Sequence, residues 1–252
     1  MIAVSARLPA SSNDHPPIVL IHGAANSAVV WTFWQQALAG EGRASYAIDL
    51  RGHGASEPLD LSTTSMHQYA ADVLSLVAQL RQRPVLVGWS MGGLVAMMAA
   101  AAGGATACVG LAPSMPARAV DRSLPLRSGE FTAEEYGITS RDLADQPAMP
   151  DLDRDERQIA LASLGPESRL ARDERQRGIV IESLPVPLLI VTGAEDRQWP
   201  RDRYRDFWLP ADHLTVEGAS HWGLVLNRRA LRHATSAVLG WLRANSIDPR
   251  RS

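Results

Sequence analysis

The chain contains no lysine: all 25 basic residues are arginine. Any mechanism that runs through a lysine Schiff base or a phosphate-loop lysine is thereby excluded. Cysteine occurs once, at Cys108, so no intrachain disulfide and no cysteine-based zinc cluster can be built. A single Cys inside a short apolar run reads as a small buried hydrophobe. An excess of one charge is missing too. Twenty-five basic and 27 acidic residues leave a net charge of −2, which excludes a generally basic nucleic-acid binder and argues against attraction to anionic membranes. Long hydrophobic runs are also absent. The longest candidate, residues 94–107, is mostly alanine, is interrupted by Gly103 and Gly104, and is too short to span a bilayer. Residues 1–17 lack the basic stretch and apolar run of a secretory signal. The expectation is a cytoplasmic globular protein with neither nucleic acid nor membrane as partner.

What remains is an ordinary globular composition, 46% hydrophobic and 21% charged over 252 residues, enough for one sizeable core. Short apolar runs bounded by turn residues predict buried strands at 18–22, 45–50, 85–89, 107–111, 187–192 and 213–217, with 2–8 as an antiparallel edge strand. Between them lie helical patterns. Ala70, Val73, Val77 and Leu80 form one stripe of a helix over about 64–81, capped by Thr63 or Thr64. Residues 94–102 form a small-residue helix, and Leu224, Leu231, Val238 and Leu242 mark a last helix reaching about residue 244. This alternation predicts a three-layer α/β fold around a mostly parallel sheet.

Residues 114–184 break the rhythm. They show no strand pattern and hold ten arginines against fourteen acidic residues. Helices are expected at 151–164 and 166–178, the second exposed, with Arg169, Asp173 and Arg177 spaced to pair along one face. The segment reads as a helical insertion, a lid, in a core domain made of residues 1–113 and 185–252.

The strongest chemical signal is Gly88-Trp89-Ser90-Met91-Gly92. It directly follows a predicted strand and opens a helix, so Ser90 sits on a tight turn with its hydroxyl above the sheet edge. A serine nucleophile needs a base, an orienting acid and donors for the developing oxyanion. His221 is the base candidate, because it follows a strand and precedes the last helix. His15, His67, His213 and His233 are worse placed, and His22 and His53 belong to other loops. Asp196, in Gly193-Ala194-Glu195-Asp196, follows the strand at 187–192 and precedes His221 by 25 residues. Glu195 is its near rival and Asp121 a distant one. Ile21-His22-Gly23-Ala24-Ala25 ends an early strand with a glycine, which turns backbone N–H groups toward the site. Ala24 and Met91 are assigned as oxyanion donors, with Ala25 as alternate for the first. His22 is expected to brace this loop.

These pieces resemble the α/β-hydrolase superfamily, of the small lidded esterase type. The matching segments are His22-Gly23, Trp31, residues 49–56, the turn at 88–93, Gly193 to Asp196 and Gly218 to His221. They run from residue 18 to 222 in the family's order. The resemblance implies a sheet of about eight strands with the lid inserted after strand 6. It also implies that Arg51 and His53 hold the loop at 49–56. The elbow Gly-Trp-Ser-Met-Gly-Gly-Leu-Val-Ala is locally similar to that of the pimeloyl-carrier methyl esterases. The acidic lid argues against docking to an acidic carrier, although Arg154, Arg157, Arg169 and Arg172 form a basic strip.

The activity expected is hydrolysis of carboxylic esters by a Ser90–His221–Asp196 triad through an acyl-enzyme, with no cofactor and no metal. Thioesterases, lactonases, carbon–carbon hydrolases, perhydrolases and hydroxynitrile lyases share this fold and triad, so the resemblance leaves them open. A non-catalytic receptor on the same fold has no need of the full set of residues. Trp89, Trp199 and Trp222 neighbour the proposed catalytic residues and serve either as pocket lining or as packing. A roofed site without a long apolar lid face predicts small-molecule esters of short to medium acyl chain as substrates.

Overall fold

The computed structural model describes residues 1–11 and 13–247. The chain enters the sheet through β1 (Val4–Arg7) and β2 (Ile18–Ile21), then runs through α1 (Thr32–Gly40), β3 (Ser45–Ile48), α2 (Met66–Val77), β4 (Val85–Trp89), α3 (Met91–Ala101) and β5 (Ala107–Leu111). It then leaves the sheet. Outside it come β6 (Glu130–Phe131), α4 (Arg154–Ala162), β7 (Glu167–Ser168) and α5 (Arg169–Arg177). Return is through β8 (Leu188–Gly193) and β9 (Asp212–Val216), and the fold closes with α6 (Gly223–Leu226) and α7 (Arg228–Ala244).

The strand order is β1-β3-β2-β4-β5-β8-β9. Only β1 runs antiparallel, pairing Val4 with Ile48 and Arg7 with Ser45. It is the edge strand expected over 2–8. The sheet therefore has seven strands where the resemblance implied about eight. The described residues before Ile18 form one strand and not two, so the inserted segment departs after the fifth strand in chain order, not the sixth.

The sequences of β2, β4, β5 and β8 are almost continuously apolar because both faces of the sheet are covered there; β9, expected to be buried over 213–217, is instead a largely exposed edge strand that alternates polar and apolar residues. Alternate residues serve opposite layers. Ile18, Leu20, Val85, Val87, Val109 and Val191 pack with Trp31, Trp34 and the helices α6 and α7. Val19, Ile21, Leu86, Cys108 and Ile190 pack with the buried faces of α2 and α3. Cys108 is fully buried, and desolvation pushes its thiol pKa up to about 12, so it is inert packing. No described helix is long and apolar enough to cross a membrane.

Helix boundaries differ from expectation where side-chain caps decide them. α2 begins after Ser65, not Thr63 or Thr64. Ser65 Oγ accepts from the Gln68 N–H while Gln68 returns a bond to the Ser65 N–H, a reciprocal capping box. The last helix is divided at Asn227, whose side chain accepts from the N–H groups of Arg229 and Ala230. The inserted segment contains strand contacts that no residue pattern announced: β6 pairs antiparallel with β7, and Ala117 bridges to Val180. Two-residue strands are too short to show periodicity. The helix expected to be exposed over 166–178 is only partly so. Ala171 and Asp173 on α5 are buried, Asp173 by a bidentate pairing with Arg127.

Asn227 also donates from Nδ2 to the Asp151 carbonyl at 2.8 Å, tying α7 to the inserted segment. Asn227→Ala should cost about 1–2 kcal/mol as a lost N-cap, and lower the melting temperature by roughly 2–4 °C per kcal/mol. An unchanged melting curve would show that the cap contributes nothing.

Candidate active site

Ser90 stands between β4 and α3 with φ +55° and ψ −119°, a left-handed conformation that a side-chain-bearing residue adopts only when its surroundings enforce it. The enforcement is steric and polar. A Cβ on Gly92 would fall 2.3 Å from the carbonyl oxygens of Ile21 and His22, and one on Gly88 would fall 2.1 Å from the Gly92 oxygen. Only glycine lets α3 approach β2 and lets the turn close on itself. The Ser90 N–H donates to the Leu111 carbonyl, and the Ser90 carbonyl accepts from Gly93 and Ser114. The side chain is half-buried and lines a cavity of about 70 Å³.

His221 lines the same cavity. Its Nδ1 is 2.8 Å from Asp196 Oδ2, which leaves Nε2 for the cavity side. Asp196 Oδ1 accepts from the backbone N–H groups of Gln198 and Trp199 at 2.9 and 2.8 Å. Burial alone would raise the Asp196 carboxyl, but the bond and charge of His221, with those two N–H groups, hold it below the ordinary carboxylate value. The loops that carry the two residues are joined, since Ala194 N–H donates to Val216 O and Glu195 N–H to Ala219 O. Glu195 itself is exposed. Asp121 is exposed and caps its own turn through Ser123.

Of the two oxyanion candidates, Ala24 lines the cavity and Met91 is the first residue of α3, where the helix geometry gives the N–H no internal partner. Ala25, the alternate, has its N–H committed: it donates to Glu167 Oε2 at 3.0 Å. All three tryptophans line the cavity. Trp89 and Trp222 are also nearly fully buried, with ring centroids 4.9 Å apart. The Trp89 indole N–H donates to the His221 carbonyl at 3.1 Å. Trp199 is half-buried, under the Arg203 guanidinium at 4.1 Å. Lining and packing are thus the same role for Trp89 and Trp222.

The loop-bracing residues behave as expected. His22 Nε2 accepts from the Leu50 N–H, while Nδ1 faces the Gly23 carbonyl at 2.8 Å. Arg51 pairs with Asp72 on α2, and His53 Nδ1 faces the Arg51 carbonyl at 2.9 Å. Among the described residues no group of three or more His, Cys, Asp or Glu is arranged to hold a metal ion.

Two residues of the inserted segment stand out that sequence reasoning missed. Glu167 is fully buried, accepts from Tyr69 Oη at 2.6 Å and from Ala25 N–H, and lies 3.5 Å from His53 Nε2. Arg175 on α5 lines the Ser90 cavity. The charge-rich pattern of residues 166–178 disguised both as solvent-facing.

A sequence profile of the alpha/beta hydrolase family matches residues 18–233. The chain belongs to this family. It is also 32% identical over 110 residues to protein phosphatase methylesterase 1 of Mus musculus, covering 42% of this chain and 28% of that one. It is 35% identical over 89 residues to a pimeloyl-[acyl-carrier protein] methyl ester esterase of Vibrio atlanticus (strain LGP32), covering 34% and 31%. The match thus spans under a third of each curated relative's length. The structure of an esterase from Thermogutta terrifontis superposes with a TM-score of 0.72 at 19% identity, over 96% of this chain and 93% of that one, a likeness of fold.

The buried charges set a pH dependence. Burial and the nearby His53 bring the His22 pKa down to about 4. The stability this imposes is complete above about pH 6.5 and is lost as pH falls toward 4. Burial would raise Glu167, yet the charge of His53 and the bonds from His53 and Tyr69 hold it at about 2, so its contribution is lost between about pH 4.5 and 2. Burial would lower His53, yet Glu167 raises it, and that contribution disappears as pH climbs above about 6.5. Thermal melts across pH 3–9 should therefore trace a dome with its top near pH 6–7. A curve flat from pH 7 to 4 would show that His22 is not held neutral by the fold.

Proposed function

We propose that the protein is a serine hydrolase acting on carboxylic esters of short to medium acyl chain. The observation that carries this reading is the shared cavity: Ser90, held at φ +55°, and His221, bonded to Asp196 at 2.8 Å, open into one space. Ser90 Oγ attacks the ester carbonyl while His221 Nε2 takes its proton. Asp196 fixes the ring and stabilises the imidazolium. The N–H groups of Ala24 and Met91 receive the oxyanion. His221 then protonates the departing alcohol, and water, activated by the same ring, releases the acid and restores Ser90. In this reading residues 114–184 are the lid, contributing Ala133, Tyr136, Ile138 and Arg175 to the cavity lining. No cofactor takes part.

Ser90→Ala should reduce ester turnover at least about a thousandfold with the fold intact, and a fluorophosphonate should label Ser90 in the wild type. Asp196→Asn should depress kcat far more than it raises KM, and Glu195→Gln should do neither. Turnover retained by Ser90→Ala, or labelling only elsewhere, refutes the assignment.

A cavity of about 70 Å³ is small beside the several hundred Å³ of drug-sized ligand sites. Rates on p-nitrophenyl esters should peak at short to medium chains and show no jump when the substrate forms droplets. A maximum at long fatty acyl chains would identify a lipase instead.

A further inference from the structure

The cavity lining is built from apolar and neutral groups with one exception. Trp89, Trp199, Trp222, Ala133 and Ile138 make its apolar walls, and Arg175 brings a permanent positive charge. A guanidinium out of water is costly unless a carboxylate or a full set of acceptors meets it. Many of the other arginines meet carboxylates, although Arg177 Nε is, like that of Arg175, buried without a partner. Arg51 pairs with Asp72, Arg127 with Asp173, Arg169 and Arg172 with Glu135, and Arg228 with Asp153 and Glu156.

Arg175 departs from that rule. Its Nη2 donates to Tyr136 Oη at 3.1 Å and its Nη1 reaches Ser114 Oγ only at 3.5 Å, both neutral hydroxyls. Its Nε is buried and has no partner. Among the described residues no carboxylate lies within ion-pair distance of it. Glu167 is near enough for the two charges to influence each other, but its oxygens are already taken by Ala25, Tyr69 and Ser168 and by the approach of His53.

We propose that Arg175 is a substrate-binding residue that receives a carboxylate of the substrate, so that the preferred esters are anionic ones. A guanidinium presents a planar fork that fits a carboxylate in two parallel hydrogen bonds. The cavity is small, which places the scissile carbonyl and the carboxylate within one short molecule. The inference rests on the Ser90 hydrolase reading and specifies its substrate class. The carboxylate belongs either to the acyl part, as in a half-ester of a short dicarboxylic acid, or to the alcohol part, as in an acylated hydroxy acid. In the first case water converts the half-ester to the dicarboxylate and the free alcohol, the leaving oxygen taking its proton from His221.

The test compares matched pairs. Monomethyl succinate and monomethyl glutarate are set against methyl butyrate and methyl valerate for the acyl-side carboxylate. O-acetylglycolate is set against ethyl acetate for the alcohol-side one. One charged member should exceed its neutral partner in kcat/KM by about tenfold or more, and Arg175→Gln should erase most of that ratio. Arg175→Lys, which keeps the charge but not the fork, should retain part of it. Succinate should inhibit neutral-ester turnover competitively in the wild type where butyrate does not, a readout that needs no variant to fold.

Calorimetric titration of monomethyl succinate, monomethyl glutarate and O-acetylglycolate into Ser90→Ala separates the two readings. Binding of a charged ester to Ser90→Ala that a Ser90→Ala/Arg175→Gln double variant loses, together with a wild-type protein that turns over no ester, would sustain the anion site and sink the hydrolase. Turnover of neutral esters with no preference for any charged one, or a ratio unchanged by Arg175→Gln, would overturn the proposal and leave the hydrolase standing.

Discussion

Much of the candidate site leans on a carboxylate that belongs to none of its candidate catalytic groups. Glu167 sits in β7, just before α5, far along the chain from the loops it touches, and is withdrawn from water. Its charge is tolerable because every approach to it is filled: Tyr69 Oη and the Ser168 N–H on one oxygen, the Ala25 N–H and the His53 ring on the other. Such a network is stable when fully satisfied and costly when broken. What it secures is geometry. Ala25 has φ +56°, a conformation that alanine does not choose unaided, and it adjoins Ala24, which lines the cavity.

The sheet supplies the other half of that geometry. The nucleophile, acid, base and oxyanion-donor candidates each follow the carboxyl end of a parallel strand: β2 leads to Ala24, β4 to Ser90, β8 to Asp196 and β9 to His221. Because neighbouring strands are held in register, as Ile21 is with Gly88 and Gly193 with Val216, residues far apart in sequence converge at one edge. Catalytic positions on an α/β sheet gather there for this reason.

Legibility in the sequence followed the length scale of the constraint. The buried strands were readable because double-sided burial demands continuous apolar runs, and the Ser90 turn because its glycines are required within five residues. Asp196 and His221 were readable as loop residues after strands. Glu167 and Arg175 were not. Apart from Ser168, the residues they bond lie between 39 and 142 residues away, and the arginines and acids around them have the composition of a solvated helix. Nothing local distinguishes Arg172, exposed enough to pair with Glu135, from Arg175 one turn along, which faces the cavity. The strand pair β6–β7 was hidden by its brevity. The count of strands erred because the family's pattern, not the residues before Ile18, set the expectation.

The inserted segment grips the loop after β2 at three closely spaced points. Ser163 Oγ donates to Asn26 Oδ1, the Gly165 N–H donates to the Ala25 carbonyl, and Glu167 accepts the Ala25 N–H. Ala25 is therefore held through both its backbone N–H and its carbonyl by residues 163–167, which lead into the helix that brings Arg175 to the cavity. The segment that supplies Arg175 to the cavity and the loop that supplies Ala24 are thereby mechanically one piece. Any displacement of residues 163–167 wide enough to admit a bulky molecule would release Ala25 from its strained conformation and disorganise the donors beside it. Under the proposed mechanism, a chamber widened in this way would be the one least able to stabilise a negative oxygen, so that the grip would filter substrates by alignment as well as by volume.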